Sequence, residues 1–551
     1  MRHFDITGLC IFLIAFLVAS VGLFTYFSFD DYIYLRLAQE YASSLKTFFT
    51  PFWTFNPWIY YRPLPSMFWV ILFTLFGPFP TPYELGIMFI FATMVFFVYR
   101  LGNLLGGRIA GVVAGLLVLF YFPIYSLSWL RSSSSLQMEL FFVASGMFYI
   151  ARWAKSLSTR HAPKSLPWLG IALLIGAFLS KEASFLIPLL LPLLVPKRRV
   201  IKLAAGLFVT GIGIFFVIRN LIEPGFPLHV PRFDLMPIAG DLEFFLCDQF
   251  LFYLPASLIV LAALAWGSRN RHVYLLLCVV AFFLIDAFVG YTVTTQRAKL
   301  AVCLVVLAYC FINAPAKARC LLVWVALLFI PPLSVLDTNI HQSDESFVGL
   351  ALFLGIGVAR QTRLASRIGR SIVRAHKSRA ERPKGIAGGL HEQTLGLRAR
   401  LARRLRIAGA LLCVLLLGYA AYSIVSLNLR IGVAEARMAI QQSRLTSDLR
   451  EYLCGLQVRD MRVHMTNLPR LISVPDFPFD ALLHGCWLIV DERISARMGI
   501  FALTNETPKR IIDDVTSRSH LIKRLSRGPH EVLVFLSPKQ WLQAERPALL
   551  D

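Results

Sequence analysis

Pro65-Ser-Met-Phe-Trp-Val-Ile-Leu-Phe-Thr-Leu-Phe-Gly77 is the stretch on which the topology turns. It is apolar but only about thirteen residues long, whereas a helix needs about 20 apolar residues to cross a ~30 Å hydrocarbon core. Counted as a span, it reverses the side of every later loop. Counted as an interfacial segment, it leaves its two flanks on one side of the membrane.

The rest of the chain makes this a question about a membrane protein. Of 551 residues, 57% are hydrophobic and 16% charged, against the ~25% charge usual in soluble domains. Mean hydropathy is +0.64. These values exclude a soluble enzyme, a disordered protein and a coiled coil. Apolar runs at 9–28, 83–100, 109–125, 136–151, 168–180, 183–196, 203–219, 249–266, 273–290, 299–314, 321–336, 347–359 and 407–427 read as thirteen spans. The run 168–196 is split because Ser180-Lys181-Glu182 places charge within it and Pro188 and Pro192 follow.

Lys and Arg collect in cytoplasmic loops, so charge decides between the two topologies. With 65–77 interfacial and the N-terminus inside, the inner loops carry Arg100 and Arg108; Arg152, Lys155, Arg160 and Lys164; Lys197, Arg198, Arg199 and Lys202; Arg269 and Arg271; Lys317 and Arg319; and the segment 360–406. The outer loops hold Asp30, Asp31, Glu40, Glu223, Asp234, Asp241, Glu243, Asp337, Asp344 and Glu345, with few cations. The opposite choice inverts this pattern in every later loop. The expectation is an N-terminus inside and a C-terminus outside.

The net charge of +23 suggests nucleic acid at first sight. However, residues 360–406 alone carry 14 Lys/Arg against 2 Asp/Glu, so the charge is one segment and not a basic face. Leu364, Ile368 and Ile372 recur at four-residue spacing among arginines, the pattern of an amphipathic basic helix on anionic membrane lipids. No C-x-x-C pair occurs, so no zinc site is signalled. The expected organisation is a transmembrane module at 1–359 with an outer loop at 29–82, a basic cytoplasmic loop at 360–406, a last span at 407–429 and a small α/β extracytoplasmic domain at 430–551. In that domain 432–456 reads as a helix, and Arg462–Thr466, Cys486–Asp491 and Glu531–Leu536 as strands.

Chemistry gathers in the outer loops. Asp30-Asp31 follows the first span; paired carboxylates at a membrane surface repel each other and suit a general base with a tuning or metal-holding partner. The plainer alternative is a water-exposed pair at a helix end. Tyr60-Tyr61-Arg62-Pro63-Leu64 puts a stiffened, aromatic-flanked Arg at headgroup depth, against the orientation rule, where it can grip a lipid phosphate or simply snorkel. Lys181 can contact phosphate with Glu182 orienting it, or the two can neutralise each other at a turn. Arg297 opens the tenth span from outside; it can bind a ligand or pair with Asp286. Arg131 among Ser132–Ser135 is a further outward cation, with Glu139 slightly inside the fourth span.

With these residues in order, the chain resembles the GT-C superfamily of polytopic glycosyltransferases, which includes bacterial aminoarabinose transferases and protein O-mannosyltransferases. The likeness covers roughly residues 1–430. It implies an all-α polytopic membrane fold of about thirteen transmembrane helices and transfer of a sugar from a polyprenyl-phosphate donor to an extracytoplasmic glycan, lipid or protein, with inversion. It implies Asp30, then Asp31, as catalytic base; Arg62, Lys181 and Arg297 as donor-phosphate contacts; and Tyr61 and Glu182 as supports. The stretch 131–137 departs from relatives that carry an acidic residue there, so a divalent cation, Mg or Mn, stays an open question. A bacterial inner membrane is the expected location. Competing readings are a lipid or solute transporter, which predicts ionisable residues mid-span, and an assembly scaffold, which gives no reason for outward Arg62, Lys181 and Arg297.

Overall fold

The computed structural model describes residues 5–25, 31–52, 62–121, 133–157, 165–194, 197–214 and 346–360, most of 305–328, four strands near the C-terminus, and isolated positions beside these. Spans expected at 249–266, 273–290 and, apart from Tyr422 and Ser426, 407–427, with Asp30, Tyr61, Arg131, Asp286 and Arg297, lie outside the described residues.

The helices are α1 (Ile6–Ala19), α2 (Asp31–Ala42), α3 (Leu45–Phe48), α4 (Pro63–Phe76), α5 (Pro80–Gly106), α6 (Arg108–Phe120), α7 (Ser134–Ser156), α8 (Trp168–Phe178), α9 (Leu190–Leu194), α10 (Arg198–Ile212), α11 (Ala316–Leu328) and α12 (Ser346–Arg360). A 3-10 turn at Ser20–Phe24 prolongs α1. Among the described residues, Ile6–Phe24 and Pro80–Gly106 are long and apolar enough to cross a membrane.

The deciding stretch forms α4, fourteen residues, or about 21 Å at 1.5 Å per residue. Its place in the topology follows from α1 and α5, which pack together and run in opposite directions. At the start of α1, Asp5 accepts the Tyr99 hydroxyl near the end of α5, at 2.9 and 3.1 Å. At the far end of α1, Gly22 lies so close to Glu84 of α5 that an added Cβ would sit 1.8 Å from Glu84 Oε1. The chain between them, residues 25–79, therefore leaves and re-enters at the same end of the pair. A single crossing by α4 is incompatible with this, because α5 would then run parallel to α1.

The same logic orders the other helices. α6 begins beside the start of α1, where Arg108 donates to the Thr7 hydroxyl. α12 begins at the far end of α6, with Phe347 stacked on Tyr121 at 3.6 Å, and ends where Arg363 donates to the Gly106 carbonyl at 2.7 Å. α7 starts at the Gly22 end, and Arg100 near the end of α5 rests over Phe148 late in α7, at 5.2 Å. α8 returns antiparallel to α7. The end of α11 meets the start of α12 through the Ser346 hydroxyl and the Val325 carbonyl, at 3.2 Å. Arg100, Arg108, Arg152, Lys155, Arg198, Lys202, Lys317, Arg319 and Arg363 therefore all sit towards one end of the bundle. Among the described residues, the basic loop positions read from the sequence gather at that end.

Close helix contact rests on small residues, as expected where hydrocarbon surrounds the bundle and packing supplies the attraction. An added Cβ on Gly146 of α7 would lie 2.8 Å from Leu174, and one on Gly170 of α8 would lie 2.7 Å from Ile150. The split of 168–196 is seen directly: α8 stops at Phe178 and Lys181 is extended at φ −157°, ψ 143°. The continuation differs from the expected helical span. Glu182–Leu189 is a 3-10 segment containing Pro188, and α9 has only five residues. A proline ring clashes with the carbonyl four residues earlier and donates no N–H, so a regular α-helix cannot run through Pro188 and Pro192 undisturbed.

Near the C-terminus, β1 (Met461–Thr466), β2 (Met498–Leu503), β3 (His520–Arg527) and β4 (His530–Pro538) form one sheet in the order β2-β1-β4-β3. β1 pairs parallel with β2 and antiparallel with β4, with Val463 opposite Ile500 and Leu536. β1 and β4 match strands expected from the sequence; β2 and β3 do not, and the strand expected at Cys486–Asp491 lies outside the described residues. The described positions between Val433 and Tyr452 are helical. Tyr452 lies beneath the Lys523 ammonium of β3, 5.4 Å from ring centre to Nζ.

Candidate functional site

Arg62 is fixed by its own backbone. It sits at the N-cap of α4, Pro63 takes the first helical position, and the Arg62 carbonyl accepts both the N–H and the hydroxyl of Ser66, at 3.2 and 2.9 Å. Proline suits that position because its missing N–H has no helical partner there in any case. The guanidinium is left to reach sideways, and its Nη1 donates to the Ser135 hydroxyl at 3.4 Å.

Lys181 is fixed similarly at the other end of a helix. The N–H groups of Ser180 and Lys181 both bond the Ala177 carbonyl, at 2.9 and 3.0 Å. The Ser180 hydroxyl donates to the Gly176 carbonyl at 2.8 Å, and the Ser184 hydroxyl to the Lys181 carbonyl at 2.7 Å. A cation just past a helix C-terminus also faces the negative end of the helix dipole. The Lys181 ammonium lies 3.7 Å from Glu139 Oε2; the lysine side chain is 13% exposed and the glutamate fully buried. Such a carboxylate-ammonium pair is costly to desolvate singly, so each group holds the other in place.

These two motifs, nearly 120 residues apart, are joined by a backbone bond. The Leu64 N–H donates to the Leu179 carbonyl at 3.3 Å. The first turns of α7 then set the distance between the cations. Ser135, which receives Arg62, and Glu139, which receives Lys181, are four residues apart on that helix. They occupy one face, about one turn or ~5–6 Å from each other.

α2 joins the same assembly. Tyr34, three residues after Asp31, stacks on Trp69 of α4 at 5.3 Å. Trp69 meets Tyr83 of α5 at 5.0 Å and donates its indole N–H to the Ser134 hydroxyl at 3.1 Å. The Tyr83 hydroxyl in turn donates to the Gly77 carbonyl at 3.0 Å, closing the turn after α4. Asp31 is fully buried at the first position of α2. The water-exposed alternative for the acidic pair is thus corrected for Asp31, whose side chain is fully buried. A second buried carboxylate, Glu84, lies at the same end beside Gly22.

Of the site residues expected from sequence, Arg62 and Lys181 are brought together, and Asp31 stands on the helix that Tyr34 ties to them. The side chain of Glu182 lies outside the described residues, as do Asp30, Tyr61 and Arg297. Sequence reasoning assigned no role to Trp69, Ser134, Ser135 or Glu84, and noted Glu139 only for its depth. A carboxylate inside an apolar run is a signal that would have singled out Glu139. Among the described residues no group of three or more His, Cys, Asp or Glu is arranged to hold a metal ion. Chemically, two cations held against one face of α7, with a buried carboxylate nearby, suit an anion.

No protein-family model matches the chain, and no curated protein matches it. Among solved structures it is similar to ArnT from Cupriavidus metallidurans bound to undecaprenyl phosphate, at 12% identity and a TM-score of 0.44, covering 97% of this chain and 98% of that one. It is also similar to the archaeal oligosaccharyltransferase AglB from Archaeoglobus fulgidus in complex with an inhibitory peptide and a dolichol-phosphate, at 14% identity and a TM-score of 0.39, covering 91% of this chain and 64% of that one.

Proposed function

We propose that the chain is a polytopic membrane glycosyltransferase that moves a sugar from a polyprenyl-phosphate donor to an acceptor on the side of the membrane opposite its basic loops. One observation carries the reading: the Leu64–Leu179 backbone bond sets Arg62 and Lys181 side by side, at the end of the bundle away from the basic segments. Cations are disfavoured on that side of a membrane, and two of them held by residues one turn apart on α7 suit an anionic ligand.

In this reading the acceptor hydroxyl or amine attacks the anomeric carbon. Its proton passes to Asp30, with Asp31 as the alternate base. The bond between that carbon and the phosphate oxygen breaks, and the electron pair leaves on the polyprenyl phosphate. Arg62, Lys181 and Arg297 stabilise the charge that develops there. Attack from the face opposite the phosphate inverts the anomeric centre. Tyr61 and Glu182 support the cations. The basic end faces the cytoplasm of a bacterial inner membrane, and 360–406 lies on its anionic lipids. The region 430–551 faces outward and helps position the acceptor. A metal requirement is left to the experiment.

The test is transfer of label from a radiolabelled polyprenyl-phosphate sugar in proteoliposomes holding the full chain, wild type against Asp30→Asn and Arg62→Ala, with and without EDTA. Label moving to an acceptor, lost in both variants, supports the reading, and the EDTA arm decides the metal. Transfer unchanged in both variants overturns the site assignment, and lipid crossing the bilayer without transfer replaces the enzyme with a transporter.

A further inference from the structure

We propose that Trp69 is a positioning residue: through its indole bond to Ser134, it sets the helix that carries the acidic pair against the helix that receives the Arg62 cation. The inference rests on the reading that Asp30 or Asp31 takes the acceptor proton while Arg62 and Lys181 meet the donor phosphate.

The acidic pair ends at Asp31, the first residue of α2. Tyr34 follows three residues later, so the two positions share one face of that helix. The Tyr34 ring stacks on Trp69 of α4, with centroids 5.3 Å apart and planes 19° apart. The N–H of the same indole donates to the Ser134 hydroxyl, at the start of α7, at 3.1 Å. The next residue, Ser135, accepts the Arg62 guanidinium. Tyr34, Trp69, Ser134 and Ser135 are all buried. A buried path across α2, α4 and α7 thus runs from the helix of the proposed base to a proposed phosphate contact, and Trp69 is its crossing point.

Stacking alone leaves such a link loose, because offset aromatic rings are held over a range of separations and tilts. A buried N–H is more exacting: it must point at its acceptor or forfeit the bond. The Ser134 bond therefore fixes the angle of the indole, and the indole face fixes where Tyr34 rests. Tyr83, 5.0 Å away and tilted by 42°, confines the ring further. In the proposed transfer the base meets the acceptor proton on one side of the anomeric carbon while the cations meet the phosphate on the other. A displacement of about 1 Å can cost about 10²-fold in rate, whereas holding the phosphate does not depend on where α2 sits. Loss of the indole bond should slow transfer and leave donor binding intact.

Transfer from a radiolabelled polyprenyl-phosphate hexose would be followed for the full chain in proteoliposomes, per mole of folded protein, with retention of undecaprenyl phosphate measured beside it. Trp69→Phe and Ser134→Ala remove the same bond from its two ends. Each should lower kcat by about tenfold or more, with donor KM and retention near wild type. The double variant should fall no further than the worse single, because both remove one shared bond. Tyr83→Phe removes a different hydrogen bond of the same cluster, the one that closes the turn after α4, and should keep the wild-type kcat. A purely structural role for Trp69 predicts a lower unfolding temperature with kcat per folded molecule unchanged, which overturns the proposal. A fall in Tyr83→Phe as deep as in Trp69→Phe overturns it too, as does a loss of retention that parallels the loss of transfer. If Trp69→Phe does not fold, Ser134→Ala decides by the same criteria. Wild type that transfers no sugar overturns the enzyme reading, and this inference with it. Wild-type transfer with kcat unchanged in both variants overturns this inference alone.

Discussion

The Leu64 N–H donates to the Leu179 carbonyl at 3.3 Å, and this bond locks the start of α4 to the end of α8. A half-buried arginine and a largely buried lysine become neighbours through their backbones before any side chain is considered. The spacing between them is then set by Ser135 and Glu139 on a third helix. A site built from three helices responds to changes in helix packing as well as to changes in its own side chains.

Gly146→Leu tests that dependence. A Cβ at Gly146 already falls 2.8 Å from Leu174, so a leucine must push α8 away from α7 and carry Lys181 from Glu139. Overpacking typically costs about 1–3 kcal/mol. The expected outcome is a lower unfolding temperature in detergent and loss of most transfer activity, while Gly206→Leu, where the added side chain meets open space, leaves both near wild type.

Trp69 ties α2, α5 and α7 together. Trp69→Phe keeps the ring stack and removes the indole donor to Ser134, so a loss of about 1 kcal/mol is expected. Trp69→Ala removes the stack as well, with an expected loss of about 3–5 kcal/mol. Denaturant titration of both variants in the same detergent checks the order. Equal effects would mean that the stacking on Tyr34 and Tyr83 contributes nothing.

Gly22→Val addresses the end of α1. A Cβ there would overlap the Glu84 carboxylate, and Glu84 is fully buried. The valine must displace a buried carboxyl group, so expression of folded protein should drop sharply. Gly22→Val/Glu84→Ala should recover part of it. Recovery in the double variant, measured by size-exclusion recovery from membranes, is the outcome that assigns the damage to this contact.

The sidedness of the bundle is open to direct labelling. Ser44→Cys, in the turn before α3, and Lys202→Cys, near the start of α10, should react with a membrane-impermeant maleimide from opposite faces of intact cells or spheroplasts. Reaction from the same face would require α4 to cross the membrane alone, against the antiparallel packing of α1 and α5.

Much of this arrangement was legible in the sequence. The shortness of 65–77, the charge at Ser180-Lys181-Glu182 and the alternation of basic loops each rest on one dominant quantity, helix length or charge, which a sequence displays directly. The pairing of Lys181 with Glu139 was not legible, because the nearer Glu182 offered a local partner and helix register across 42 residues is set by packing. The role of Trp69 is a matter of three-way tertiary contact. Among the strands, β3 escaped because the ladder slips between Leu521 and Lys523, and such a bulge breaks the two-residue period by which strands are recognised. β2 escaped because Gly499 dilutes a six-residue apolar run.

The central claim is that Arg62 and Lys181 form one lipid-phosphate site. Its most direct measurement is retention of radiolabelled undecaprenyl phosphate by the purified full chain, compared across wild type, Arg62→Ala, Lys181→Ala and the double variant. The account predicts a loss of about tenfold or more in each single variant, with the double variant losing less than the product of the two, as expected for groups that share a ligand. Retention unchanged in all three variants would contradict it.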